Sequence, residues 1–89
     1  MERTFRVQIE GADLCVRQRG EHPATVFVHG FGSDQQSWEP LWAALGESYP
    51  ALAYDLRGFG ESREASDEPF SHADDLIALL DACDIERAN

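Results

Sequence analysis

Eighty-nine residues make one domain at most, near the lower size limit for a two-layer α/β core. The chain is 43% hydrophobic and 27% charged, which is typical of a folded globular domain and excludes a disordered segment. Its formal net charge of −10 repels phosphate backbones and anionic lipid, so we expect no nucleic-acid partner and no membrane partner.

The sequence carries no sign of a secretory or metal-binding protein. No apolar run approaches the roughly 18 residues that a membrane span needs. Residues 1–5 lack the apolar core of a secretory signal, so we expect a cytoplasmic protein. Cys15 and Cys83 form no CxxC or Cys/His spacing, which gives no support for a metal. A disulfide between them stays open, but two small buried hydrophobic side chains are favoured.

Three strands are predicted before residue 30. Residues 4–10 alternate apolar and polar side chains, the pattern of a half-buried strand, and residues 14–19 predict a second strand after turn-forming Gly11. The two should form an antiparallel hairpin. Residues 25–28 are continuously apolar and β-branched or aromatic, which is typical of a strand covered on both faces.

A helix and a fourth strand follow. Ser37 is the predicted N-cap of an amphipathic helix, and Gly46 is its predicted end. The apolar stripe of this helix has the spacing i, i+3, i+4, i+7 and consists of Trp38, Leu41, Trp42 and Leu45. Residues 50–55 predict a buried strand, and a helix between two strands is the crossover that parallel pairing requires.

A second helix is predicted near the end of the chain. After a polar loop at residues 56–69, Ser71 opens a helix with an acidic first turn. Its predicted apolar stripe consists of Ala73, Leu76, Ile77, Leu80 and Cys83. Residues 84–89 look like the approach to a further strand. The elements together predict an α/β fold in which an antiparallel hairpin leads into a parallel sheet with crossover helices.

A glycine-rich turn, residues 29–32 (His-Gly-Phe-Gly), follows the third predicted strand. Glycines on either side of Phe31 let the backbone turn sharply and expose N–H groups. Such groups stabilise the oxyanion of acyl transfer when they point into a dry crevice. A plain strand-to-helix turn explains the same residues equally well, so this motif alone leaves both interpretations open.

A second glycine-rich turn, residues 55–62 (Asp-Leu-Arg-Gly-Phe-Gly-Glu-Ser), follows the next strand. Because ligands of open α/β sheets bind outside the carboxyl ends of strands, two such turns indicate one crevice. Dinucleotide binding is disfavoured, since Gln35 and Arg63 stand where the third glycine of that fingerprint is required. The chain has no Lys and therefore no GxxxxGK[ST] phosphate loop, so we expect no cofactor.

The order of these motifs resembles the opening of the α/β-hydrolase fold family. A buried strand ends in His-Gly-X-Gly, a helix led by an aromatic residue follows, and the next strand ends in Asp-X-Arg-Gly-X-Gly-X-Ser. The resemblance covers residues 25–89, and the leading hairpin fits the family's first two strands. Residues 30–35 with Trp38 are similar to bacterial stress-response hydrolases and their plant hormone-receptor relatives. Residues 55–62 and 73–88 look more like lactonases, esterases and enol-ester hydrolases.

The resemblance implies roles for the residues of the first turn. Phe31 matches the position whose backbone N–H is one oxyanion-hole donor, and its ring, with Gly32, would line the acyl pocket. His29 and Gly30 match residues that support this loop, and His29 would brace it through hydrogen bonds without being the catalytic base. Trp38 is a further candidate for the substrate pocket, although core packing is the favoured explanation.

The second turn is given a structural role by the same resemblance. Asp55 and Arg57 match residues that pin the two turns together. Residues 1–89 would then be the N-terminal part of one α/β-hydrolase domain that acts on an ester, lactone or related small acyl substrate.

The resemblance places the catalytic machinery beyond this chain. The family's nucleophile lies in a G-x-S-x-G elbow on the strand after the second helix, and its acid and base follow, so all three would come after residue 89. Residues 60–62 (Gly-Glu-Ser) match only half an elbow. His22 and His72 are better explained as surface residues. We therefore expect the chain alone to be inactive, although whether it is an enzyme by itself stays open.

A non-catalytic remnant or interaction module is the alternative hypothesis. In the family's strand order, the third strand would keep an unpaired apolar edge, and such an edge invites self-association.

Overall fold

The structure is a computed structural model that describes residues 2–23, 25–30, 33–64 and 69–89. Across these residues it contains one sheet, made of β1 (Glu2–Ile9), β2 (Ala12–Arg19), β3 (Val26–Val28), β4 (Ala51–Tyr54) and β5 (Arg63–Glu64). A 3₁₀ helix (Gln35–Trp38) runs into α1 (Glu39–Leu45), and α2 (His72–Ala82) follows β5. None of the described helices is long and apolar enough to cross a membrane.

The predicted hairpin and the predicted parallel crossover are both confirmed. β1 and β2 pair antiparallel around a turn in which Gly11 has a φ of 80°. The strand order is β1-β2-β4-β3, with β5 beside β2. β3 is parallel to β4, whereas β2 is antiparallel to it. The hairpin turn and the carboxyl ends of β3 and β4 therefore lie at the same edge of the sheet.

β4 separates two hydrophobic clusters, because successive side chains of a strand point to opposite faces. On one face, Leu52 and Tyr54 pack with residues of β2 and α2. The buried residues of this cluster are Ala12, Leu14, Val16, Leu52, Tyr54, Leu56, Leu79 and Ile85. On the other face, Ala51 and Ala53 pack with Phe27 and Trp42.

β3 is less covered than the sequence predicted. Val28 is 40% exposed, because β3 is the last strand in the sheet order. On the side of β3 that faces away from β4, the Val26 N–H donates to the Asn89 carbonyl oxygen at 2.9 Å. Residues 84–89 form no strand, although Ile85 is buried in the larger cluster.

The first helix begins earlier than predicted, but Trp38, Trp42 and Leu45 of its predicted apolar stripe do pack in the smaller cluster. Asp34 is the N-cap, and its side chain accepts from the Gln36 N–H at 2.9 Å, so the prediction of Ser37 as the cap is wrong. The first turn is 3₁₀, with fewer residues per turn than an α-helix. Trp42 is buried as expected, but Leu41 is 42% exposed. The predicted end holds, since Gly46 is the C-cap with a φ of 83°.

The apolar stripe predicted for α2 is confirmed in part, because Leu76, Leu80 and Cys83 are partly buried against the larger cluster. Ser71 is confirmed as its N-cap and accepts from the Asp74 N–H at 3.3 Å. Leu79, which the prediction omitted, is fully buried, whereas Ile77 is 58% exposed. The most buried residues of the helix are Asp75 and Leu79, and the Asp75 carboxylate forms an ion pair with an arginine at 2.9 Å.

Two smaller predictions were also tested. The polar loop contains β5, which pairs with β2 by two residues and was too short and polar to be recognised. Both cysteines are free, Cys15 buried and Cys83 half-buried, so there is no disulfide between them.

Candidate functional site

The loops that follow β3 and β4 are tied together by one buried carboxylate. Asp55 directly follows β4 and is only 2% exposed. Its Oδ1 accepts from the Gln35 N–H at 2.8 Å, where the loop after β3 enters the 3₁₀ helix, and its Oδ2 accepts from the Glu61 N–H at 3.0 Å, in its own loop. Hydrogen bonds from backbone amides stabilise the ionised form of a buried carboxylate. The side chain of Asp55 thus fixes the separation of the two loops.

Gly60 allows the second loop to pass close to this carboxylate. Its φ is +52°, and a Cβ at this position would lie 2.6 Å from the Asp55 carboxylate. Gly58 in the same loop also has a positive φ, of +79°, but a Cβ there would meet nothing within 4 Å. Only Gly60 is therefore required for both its conformation and its lack of a side chain.

His29 joins the first loop to the second through its ring. The buried ring accepts at Nε2 from the Leu56 N–H at 2.8 Å, and its Nδ1 lies 2.7 Å from the Gly30 carbonyl oxygen. An accepting Nε2 assigns the neutral tautomer with the proton on Nδ1, which then donates to Gly30. Both nitrogens are engaged, and these contacts support the predicted bracing role of His29.

Ser62 lies between β2 and the second loop. Its buried hydroxyl donates to the Asp55 carbonyl oxygen at 2.6 Å and accepts from the Cys15 N–H at 2.8 Å. Burial is the main cause that raises the pKa of the neighbouring Cys15 thiol, with a further contribution from the Asp55 charge. Neither Ser62 nor Cys15 is placed as an activated nucleophile.

Arg57 makes different contacts from those that the resemblance implied. Its Nε and Nη2 bind the two oxygens of Asp75 at 3.0 and 2.9 Å, and Nη2 also donates to the Glu10 carbonyl oxygen at 2.8 Å. Its guanidinium carbon lies 4.3 Å from the centre of the Phe70 ring. Arg57 therefore ties the second loop to α2 and to the hairpin turn. The expectation that it pins the two glycine-rich turns together does not match these contacts, because its carboxylate partner comes from α2.

The remaining candidates are placed as follows. Phe31 and Gly32 lie outside the described residues. Trp38 is half-buried and stacks on Phe27 with ring centres 5.0 Å apart, in the smaller core cluster, which supports core packing. Gly30 is exposed, and its carbonyl oxygen also accepts from the Ser33 N–H at 3.2 Å.

Two clefts flank the second loop. One, of about 410 Å³, lies between this loop, the β1–β2 hairpin and the 3₁₀ helix, and Asp55, Arg17 and Glu39 are among its lining residues. A hydrogen bond from Arg17 lowers the pKa of Glu39. The other, of about 340 Å³, lies beside Arg57 and Phe70. Over the described part of the chain, no group of three or more His, Cys, Asp or Glu is placed to hold a metal ion.

Sequence reasoning missed three residues of this site. Gly60 and Ser62 belonged to a recognised motif but received no role, because their partners are a side chain and backbone groups brought together only by folding. Asp75 belongs to the acidic first turn that the sequence predicts for α2, and that prediction gave it no partner. Its position four residues before Leu79, on one helix face, was the available signal for burial.

Comparison with known proteins gives the family. The model of the alpha/beta hydrolase family matches residues 25–88. The chain is 34% identical to 3-oxoadipate enol-lactonase 1 of Acinetobacter baylyi over 98% of its own length and 30% of the relative. It is 35% identical to an epoxide hydrolase of Caballeronia sordidicola, over 94% of the chain and 27% of the relative.

A solved structure gives the same result. A laboratory-evolved variant of a potato epoxide hydrolase superimposes with a TM-score of 0.80 at 32% identity, over 98% of this chain and 30% of that one. The chain thus spans about 30% of the length of the relatives that it matches. With the family model covering most of its residues and a solved epoxide hydrolase superimposing on 98% of its length, this chain belongs to the α/β-hydrolase family.

Proposed function

We propose that this chain supplies half of an oxyanion hole to a serine-type α/β-hydrolase that acts on an ester, lactone or related acyl compound. The observation that carries the proposal is the Asp55 carboxylate, which binds the Gln35 and Glu61 amides and so joins the two glycine-rich loops into one wall of a crevice. The identity to an enol-lactonase supports the acyl substrate class.

The chemistry assigned to this wall is electrostatic. As a nucleophile attacks the acyl carbon, negative charge develops on the carbonyl oxygen, and the Phe31 N–H would donate to it. Gly32 and the Phe31 ring would contact the acyl group, with Trp38 behind them. His29, Gly30 and Asp55 would hold the donor in place. The nucleophile, acid and base would come from residues after position 89.

The test removes the proposed N–H donor and uses a second variant as the control for the loss of the phenyl ring. In the hydrolase that contains residues 1–89, Phe31→Pro deletes the N–H, and Phe31→Leu keeps it. One lost oxyanion donor typically costs on the order of 10²–10³ in rate. We expect that loss in kcat for Phe31→Pro and a much smaller one for Phe31→Leu on an activated ester. Equal kcat values for the two variants would refute the assignment.

Epoxide opening is a second candidate, because the epoxide hydrolase and the enol-lactonase match this chain with nearly equal identity. Supplying the same hydrolase with a lactone and with an epoxide separates the two. Release of a hydroxy acid from the lactone supports the acyl proposal. Release of a diol from the epoxide, with no turnover of the lactone, supports the second candidate.

The 89-residue chain alone is expected to give only background hydrolysis of a p-nitrophenyl ester, because neither Ser62 nor Cys15, the buried hydroxyl and thiol beside Asp55, is placed as an activated nucleophile. Turnover that disappears when one of its own serines is changed to alanine would contradict this expectation.

The predicted cytoplasmic location stays a prediction, which microscopy of the tagged protein would test.

The alternative hypothesis, that the chain is an interaction module, is tested by its self-association. The part of the outer edge of β3 beyond the Val26–Asn89 hydrogen bond, where Val28 is exposed, is the candidate surface for self-association. Sedimentation of the chain across a range of concentrations should show a dimer or larger species if this edge pairs. A stable monomer at all concentrations would contradict it.

A further inference from the structure

The antiparallel ladder between β2 and β4 is interrupted where β4 ends. Val16 lies opposite Tyr54, so Cys15 lies opposite Asp55. Two residues that form a hydrogen-bonded pair in such a ladder exchange two N–H···O bonds. The Asp55 N–H does donate to the Cys15 carbonyl oxygen at 3.1 Å. The second bond, from the Cys15 N–H to the Asp55 carbonyl oxygen, is replaced by the Ser62 hydroxyl.

The Ser62 hydroxyl lies between the Cys15 N–H and the Asp55 carbonyl oxygen and hydrogen-bonds to both. The Cys15 N–H donates to Ser62 Oγ at 2.8 Å, and Oγ donates to the Asp55 carbonyl oxygen at 2.6 Å. A hydroxyl can accept and donate at once, so both buried backbone groups stay satisfied. The inserted oxygen also holds the Asp55 carbonyl away from β2, at the residue where the chain leaves the sheet.

The side chain of Asp55 starts from this same peptide. Its carboxylate reaches the Gln35 amide in one loop and the Glu61 amide in the other. We infer that Ser62 is a positioning residue: its hydroxyl opens the β2–β4 ladder at Cys15 and Asp55, and thereby aims the Asp55 carboxylate at the Gln35 and Glu61 amides. The effect on catalysis rests on the proposed function, whereas the effect on the two loops does not.

The side chain at position 62 can be varied with a matched pair. Ser62→Thr keeps a hydroxyl, and Ser62→Val has nearly the same shape without one. The loss of the hydroxyl either lets Cys15 and Asp55 bond directly, which turns the carboxylate, or leaves both groups unsatisfied. Both consequences act on the Gln35 and Glu61 amides more than on the intact part of the ladder, where Arg17 lies opposite Ala53.

Amide hydrogen exchange of the 89-residue chain measures this difference. In Ser62→Val we expect exchange at Gln35 and Glu61 to become about tenfold faster relative to Arg17 and Ala53, and Ser62→Thr to restore it. Equal acceleration at all four amides in Ser62→Val would show that Ser62 only stabilises the fold, and it would overturn the inference. Unchanged exchange at all four amides would overturn it as well.

A second variant covers the case in which Ser62→Val does not fold. Ser62→Cys keeps a weaker and longer bridge, and the amide proton shifts of Gln35 and Glu61 should move in it while those of Arg17 and Ala53 stay. Unmoved shifts at Gln35 and Glu61 would also overturn the inference.

Activity of the hydrolase that contains residues 1–89 gives an independent readout. There we expect Ser62→Val to lower kcat about tenfold with KM little changed, and Ser62→Thr to recover it. Faster exchange at the two loop amides with an unchanged kcat would overturn the catalytic part alone. Failure of the proposed function is seen separately, as equal activity of Phe31→Pro and Phe31→Leu.

Discussion

Asp55 and Arg57 are buried charged residues two positions apart at the end of one strand, and different kinds of group stabilise their charges. Asp55 accepts from two backbone amides of the loops around it. Arg57, 5% exposed, forms a two-bond ion pair with Asp75 of α2. The Asp55 contacts depend on loop conformation, whereas the Arg57 contacts depend on one side chain of another element. The Asp55 hydrogen bonds therefore hold the loops beside the cleft in place, and we call them the loop tie. The Arg57–Asp75 ion pair attaches α2 to the second loop, and we call it the helix tie.

The largest effect is expected from breaking the helix tie. Arg57→Met leaves the Asp75 carboxylate buried without its partner, which typically costs about 3–5 kcal/mol. In urea unfolding of this chain we expect a loss of that size or no folded state. The double variant Arg57→Met with Asp75→Leu removes both charges and should recover most of the loss. A single variant within about 0.5 kcal/mol of the parent would contradict the comparison.

The next effect is expected from crowding the loop tie. Gly60→Ala places a Cβ against the Asp55 carboxylate, whereas Gly58→Ala meets only open space. Both variants adopt a positive φ, which costs about 1–2 kcal/mol. Gly60→Ala should cost about 1–3 kcal/mol more, as overpacking does. Equal unfolding free energies for the two variants would show that the carboxylate moves away without a penalty.

A smaller effect is expected from Asp55→Asn, which keeps the shape of the side chain. The amide can accept from one loop N–H but presents its NH₂ to the other, so one charge-assisted bond is lost, worth about 1.5–3 kcal/mol. Of the Gln35 and Glu61 amides, one should exchange faster, and α2 amides should be unaffected. Equal acceleration in α2 would mean that the two ties are not separate.

Tyr54, directly before Asp55, is a third buried ionisable residue, and it differs from the other two because it stays uncharged. Burial, with a smaller contribution from the Asp75 charge, raises the pKa of Tyr54 to about 12 from an ordinary value of 10.0. Its hydroxyl has no hydrogen-bond partner in the described part of the structure, so Tyr54→Phe should be nearly neutral at pH 7.

The same residue predicts an alkaline transition. The contribution of the raised pKa is fully present below pH 10 and is lost as the pH rises from 10 to about 12, since the unfolded chain ionises first. The loss reaches about 3 kcal/mol for two pH units. Stability measured across this range should fall less in Tyr54→Phe than in the parent, whereas the exposed Tyr49→Phe should follow the parent. Parallel curves for the Tyr54→Phe variant and the parent would contradict this.

Periodicity and turn chemistry predicted most of the local structure. The alternating strands, the Ser71 cap and the Gly46 end were all recognisable, because each depends on neighbours within a few residues. One error was local, because the N-cap of the first helix is Asp34 and not Ser37, whereas the others arose where a choice depended on distant parts of the chain. The sequence did not reveal that Asp75 of α2 is buried against Arg57, or that β3 is the last strand in the order of the described sheet.

The sequence by itself determined the hairpin, the crossover and the position of two glycine-rich turns at neighbouring strand ends. Only the tertiary structure decided what each residue of the second turn binds. Asp55, Arg57 and Ser62 find their partners on the loop after β3, on α2 and on β2. A short motif fixes backbone conformation and residue type, but hydrogen-bond partners far along the chain are selected only when sheet register and helix packing bring them within bonding distance.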